Sequence, residues 1–321
     1  MNVAEENRAT RLMYASAESE WFLALDSLVD SIHPVDREAT RIWYFFWPLK
    51  LTESLKASQD PVKTAQELLL YGKFELKRAL QESVTFLYGA RWWHEVAQSV
   101  LDFARAWEAG EKEASSLKEA IRQVAVELSK RTTVSEELLL GITAVAFFAL
   151  RHLGPEDFRN ALNQTDARNH FQRSPEEVIS LRKGRTKKKF WDFLYTVNRR
   201  HTVTWDEEKD CTFPAINNQY LAMAAAADQE DYRNSDPRRV EGPIPVQCRN
   251  GACGFCWIGV LGGKENLSEM ADFERKRLET LGYVNSGQLA ESHPHLRLAC
   301  QARVTGDVTI VIPPWNGFLD G

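Results

Sequence analysis

Apolar positions in the first half of the chain recur at three- and four-residue steps, the spacing of a helix face packed on a core. In "AESEWFLALDSLVDSI", Trp21, Leu25, Leu28 and Ile32 fall on one such face, and Pro34 closes the segment. "REATRIWYFFWPLKLTESL" continues the pattern, with a break or kink expected at Pro48. The same period predicts helices at "PVKTAQELLLYG", "FELKRALQESVTFLYG", "RWWHEVAQSVLDFARAW", "SLKEAIRQVAVELSK", "SEELLLGITAVAFFALRHLG" and "PEDFRNALN". Gly72, Gly89 and Gly154 stand where C-terminal caps are expected, and Ser135 before two glutamates makes a helix start. Short gaps between these segments favour antiparallel neighbours, so the first half reads as an all-α bundle. The aromatic clusters "IWYFFW" and "RWW" are read as core.

After "RKGRTKKK" the period changes from helical to alternating. "HTVTW" and "DCTFPAI", joined by the charged "DEEK", predict a β-hairpin. "NQYLAMAAAADQ" reads as a helix, "CWIGVLGG" as a strand, "LSEMADFERKRLETLG" as a helix and "DVTIVIP" as a closing strand. These elements make a small α+β domain with a mixed sheet. The expected division is an all-α domain at residues 1–181, a basic linker at 182–195, and the α+β domain at 196–321.

Composition narrows the function classes without choosing one. At 321 residues, 44% hydrophobic and 26% charged, the chain can bury two cores. A net charge of −5 gives no overall nucleic-acid footprint, so no nucleic-acid partner is expected. The most apolar run, Leu138 to Leu150, is too short to span a bilayer core of roughly 30 Å, and no secretory pattern opens the sequence. No membrane span is expected, and the cytoplasm is the expected location.

Chemistry concentrates in "PVQCRNGACGFCWIGV". Cys248, Cys253 and Cys256 follow a C-x4-C-x2-C spacing, and Cys300 in "RLACQARVTGDV" lies far downstream. In a reducing compartment, thiols clustered this way read as metal ligands before disulfides. Three ligands from one loop and a fourth from a distant segment is the spacing of a plant-type [2Fe–2S] centre. Gly251, Ala252 and Gly254 carry little or no side chain, so the backbone can bend close and aim N–H groups at the sulfurs. A structural zinc site is the competing reading, but zinc sites pair two short knuckles and this chain has one. Cys211, on the second strand, is expected to be a small buried apolar residue.

"CRNGACGFC", the "LSEMADFERKRLETLG" helix and "RLACQARVTGDVTIVIP" resemble a bacterial [2Fe–2S] ferredoxin of the plant-type, β-grasp class. The resemblance covers residues 199 to 313 and departs from the photosynthetic ferredoxins by an added loop, "VNSGQLAESHPH", and an extended segment before the cysteine loop. It implies one [2Fe–2S] cluster per chain, with Cys248, Cys253, Cys256 and Cys300 as ligands. Arg249, Gly251, Ala252 and Gly254 would complete the cofactor-binding loop. One-electron transfer is the implied activity, and a reductase or oxidoreductase is the implied partner.

A second active site is not expected. His33, His94 and His152 form no constellation, no E-x-x-H pair repeats, and neither a G-x-G-x-x-G nor a G-x-x-x-x-G-K-[ST] motif is present. His293 and His295, in the added loop, could cover or tune the cluster. No catalytic residue is assigned. The helical half resembles no family and is expected to dock a redox partner or a second copy of the chain. Two alternatives stand beside the electron carrier: a redox subunit of an oxidoreductase, and a cluster-based redox sensor.

Overall fold

The structure is a computed structural model that describes residues 18–46, 57–60, 63–64, 84–162, 173–183, 199–227, 229–234, 236, 238–280 and 291–313. The chain divides into two compact units, one of residues 1–44 and 76–171 and the other of 45–75 and 172–321.

The first unit is helical. Helix α1 (Glu18–Leu28) runs into a 3-10 turn, Val29–Ser31, and α2 (Pro34–Phe46) follows. Pro34 thus ends one helical segment and opens the next, where its missing N–H costs nothing. A second 3-10 turn, Tyr88–Trp92, leads into α3 (Trp93–Glu108), and α4 (Leu117–Thr132) and α5 (Glu136–Leu162) follow. Ser116 caps α4 by accepting from Glu119 N. Helix α5 breaks at Gly154, whose φ of 76° is the left-handed geometry expected there.

By length and composition α5 could cross a membrane, yet 78% of its most apolar window is buried inside the protein. It packs on α3 and α4 as the core helix of the bundle. Trp21, Trp43, Tyr44, Trp93, Phe147 and Phe148 are fully buried, which meets the core expectation for Trp43, Tyr44 and Trp93 of the aromatic clusters, whereas Trp92 is half-buried and the side chains of 45–47 lie outside the described residues. Gly89 is not a cap. It sits inside the 3-10 turn, where Asp36 accepts hydrogen bonds from the N–H groups of Tyr88 and Gly89, both at 2.6 Å. A Cβ at Gly89 would lie 2.9 Å from Ile142, so close packing is what excludes a side chain. Gly72 and Pro48 lie outside the described residues.

The second unit begins with α6 (Pro175–Arg182), a helix that the sequence reading missed and that belongs with the α+β half. Ser174 and Glu177 form a capping box around its first turn. At its other end Arg182 pairs bidentately with Glu207, both bonds at 2.8 Å and both side chains nearly buried. Arg182 therefore anchors a helix to the sheet and is not a solvated linker residue; 184–195 lie outside the described residues. Gly262 makes this docking possible, because a Cβ there would lie 2.0 Å from the Arg182 carbonyl oxygen.

Five strands form the sheet in the order β2-β1-β5-β3-β4. Strands β1 (Arg200–Asp206) and β2 (Cys211–Ile216) are the expected antiparallel hairpin. After α7 (Leu221–Ala226) come β3 (Trp257–Gly262), α8 (Asp272–Thr280), β4 (Leu296–Leu298) and β5 (Val308–Val311). Strand β5 pairs parallel to β1 and antiparallel to β3, which makes the sheet mixed. In the extension before the cysteine loop, Arg238 pairs with Asp236 and donates to the Pro313 carbonyl at 2.9 Å, and Arg239 stacks over Trp205.

Candidate metal centre

The ladder between β3 and β4 explains how cysteines 44 positions apart come together. Trp257 stands opposite Leu298, so Cys256, just before β3, faces the turn that follows β4 and carries Cys300. Ala299 N donates to the Cys256 carbonyl at 2.9 Å and closes the approach. The start of α7 holds the turn from the other side, through Leu221 N to Ala302 O at 2.9 Å and Ala222 N to Ala299 O at 3.0 Å.

Ahead of β3, the loop from Cys248 to Cys256 is bent by three residues with positive φ: Arg249 at 58°, Gly251 at 80° and Gly254 at 70°. Arg249 adopts this conformation despite its side chain, which reaches out to pair with Glu241. The bend turns backbone donors inward. Cys253 N donates to Cys248 Sγ at 3.3 Å, Phe255 N to Cys253 Sγ at 3.4 Å, and Cys300 N to Cys256 Sγ at 3.4 Å. Exposed Ala252 is anchored by its own N–H, which donates to Asn250 Oδ1 at 3.1 Å.

The thiols fall into two interacting pairs, Cys248 with Cys253 and Cys256 with Cys300. Burial opposes ionisation of Cys248, but bonds from the Cys253 thiol and from the Cys253, Asn250 and Ala252 amides outweigh it and lower its pKa. In the second pair, the bond from the Cys256 thiol brings Cys300 down to about 7 against the cost of burial, with help from Gln301 and the Gly251 amide. Cys253 is raised, chiefly by burial, and Cys256 is raised well above its usual range by its bond to Cys300 and by burial. In each pair the surrounding donors favour ionisation of one sulfur, Cys248 in the first and Cys300 in the second.

Close in sequence to Cys300, Arg297 on β4 forms a fully buried ion pair with Glu274 on α8, bidentate at 3.0 Å on each arm. Glu274 Oε1 also accepts from Leu298 N at 2.7 Å, which fixes the backbone two residues before Cys300. Arg297 spends a further donor on the Ser268 carbonyl.

Among the described residues, no three His, Cys, Asp or Glu side chains form a group that could hold a single metal ion. Two thiol pairs bridged by a common loop suit two irons linked by sulfides better than one tetrahedral zinc.

The family model for the 2Fe-2S iron-sulfur cluster binding domain matches residues 206–305. The C-terminal region is a ferredoxin-type [2Fe–2S] domain. The matched span holds all four clustered cysteines and about a third of the chain. The ferredoxin domain binds a [2Fe–2S] cluster, and the loop fits one: small residues at the bend, inward N–H groups and paired sulfurs. No solved structure matches the chain.

Two expectations need correction or sharpening, and three supporting residues were not foreseen. Cys211 is half-buried rather than core, and its neighbours are Asp206, Lys209 and Asp210 at the hairpin turn, with no other cysteine among them. His295 is used by the sheet, its Nδ1 lying 2.7 Å from the Val260 carbonyl oxygen, and His293 is half-buried beside it. Glu274, Arg297 and Gln301 support the site and escaped the sequence reading. "RLACQ" puts Gln301 directly after a candidate ligand and Arg297 three residues before it, and that proximity was the available signal.

Proposed function

We propose that this protein is a one-electron carrier whose helical unit docks a protein redox partner or a second copy of the chain. The ligand assignment is part of the proposal: Cys248 and Cys253 take one iron, and Cys256 and Cys300 take the other. When bound, the cluster accepts and returns one electron. The chain's own residues hold four anionic sulfurs close together, donate to them from the backbone, and keep Cys256 and Cys300 out of water. All-thiolate ligation implies a low potential, which inward N–H groups raise by stabilising added negative charge.

The observation that carries this reading is the pairing of the four thiols on one inward-donating loop and one sheet turn. In this reading the chain passes electrons to a partner that does the chemistry. Free thiols fit a reducing compartment such as the cytoplasm. In the test, Cys300→Ser loses or reshapes the visible absorption and the spin-½ signal of the reduced protein. An unchanged spectrum in that variant removes Cys300 from the ligand set. A stoichiometric flavin or haem in the purified full chain would replace the carrier reading with that of an oxidoreductase subunit.

A further inference from the structure

Gln301, the residue after the fourth cysteine, has a side chain that turns back on its own backbone. Its Nε2 lies 3.0 Å from the Cys300 carbonyl oxygen and 3.5 Å from Cys300 Sγ. The backbone cannot relax away, because Gln301 N and Ala302 N both donate to the Leu298 carbonyl, at 2.8 and 3.0 Å. Above it stands Gly251. A Cβ there would meet Gln301 Cγ and Cδ at 3.2 Å and Phe273 Cε1 at 2.8 Å. The aliphatic stem of Gln301 and the ring edge of Phe273 therefore close on the same glycine of the cluster loop.

Phe273 is the odd member of this group. It is 53% exposed, so burial in a core does not account for it. Its place on α8 is fixed by the next residue, Glu274, which is locked between Arg297 and Leu298 N. An apolar ring is thus kept at the surface and pressed on the loop that faces Cys300.

We propose that Gln301 tunes the reduction potential of the cluster by donating to Cys300 Sγ, and that Phe273 acts as a positioning residue that holds Gly251 and Gln301 in place. The inference rests on Cys300 being a ligand. A donor aimed at a ligating sulfur stabilises the reduced state, which carries one more negative charge, and so raises the potential. Gln301 is neutral, so its contribution does not change with pH.

The test is the midpoint potential of the full-length, cluster-loaded protein. Q301L moves the potential negative, and Q301E, which replaces a donor with an anion, moves it further. The reduced Q301L protein also loses a strongly coupled exchangeable proton seen by pulsed hyperfine spectroscopy in H2O against D2O. Should Q301L fail to load, Q301M, with an unbranched stem of similar length, carries the same expectation. F273A shifts the potential in the same direction as Q301L and adds nothing in a Q301L background, because Phe273 acts through Gln301. A ring that merely shielded the cluster from water would act oppositely, since solvent access raises the potential of an anionic centre. The inference is overturned if Q301L keeps full iron content at the wild-type potential, or if F273A moves the potential positive. Those outcomes leave the ligand assignment standing, which only loss of Cys300 tests.

Discussion

Removing one partner of the Glu274–Arg297 pair leaves a charge in a site with essentially no solvent, both side chains being at most 1% exposed. Stranding a buried charge in this way costs about 3–5 kcal/mol. For a unit of this size each kcal/mol lowers the unfolding midpoint by about 2–4 °C, so R297M should unfold roughly 6–20 °C below the parent. The damage also reaches the metal site, because Glu274 fixes Leu298 N two residues before Cys300. Heating at one fixed scan rate, followed by loss of cluster absorbance and by near-ultraviolet circular dichroism, reads both effects. The sign of the double variant is the sharper result. In E274Q/R297M the buried carboxylate is gone and the Gln amide oxygen still accepts from Leu298 N. That variant should be more stable than R297M alone. The reasoning is refuted if R297M unfolds within 2 °C of the parent, or if adding E274Q to it costs further stability.

Two other expectations follow from the same unit. Gly262→Ala forces a Cβ against the Arg182 carbonyl, so α6 should lift from the sheet, with faster amide exchange over 175–182 and a loss of about 1–3 kcal/mol; unchanged exchange would contradict the docking. Burial works against the Asp236 carboxylate, but its bonds to Arg238 prevail and hold its pKa below the ordinary value. The stability it adds is present above the unfolded value near 4 and is lost as pH falls through the lower folded value. Asp236→Asn should therefore destabilise the protein at pH 7 and flatten its acid unfolding, and an acid limb as steep as the parent's would remove Asp236 from the account.

The helical period located α1 through α5 because each buries a stripe spaced for helix packing. Alternating buried and exposed positions mark the β1–β2 hairpin, whereas β3 and β5 show as short, nearly continuous apolar runs that are buried along their length. Strand β4 escaped because three residues, Leu296 to Leu298, are too few to display a period, and all three are buried. Helix α6 has only slight apolar periodicity, and its one local signal is the capping box written in "SPEEV". The clustering of Cys248, Cys253 and Cys256 was legible because all three lie within one short segment. Glu274, Arg297 and Gln301 were not, because their roles arise only when β4 lies beside β3 and Glu274 on α8 meets Arg297. Gly89 shows the same limit: from sequence it is a cap, and only the proximity of Asp36 and Ile142 shows that packing requires it.

The most direct test is an iron and acid-labile sulfide count on anaerobically purified full-length protein, paired with electron paramagnetic resonance after dithionite reduction. Two irons and two sulfides per chain with a spin-½ signal are expected of the ferredoxin domain. A colourless protein that holds zinc at Cys248, Cys253, Cys256 and Cys300, and shows no such signal, would contradict the account at its centre.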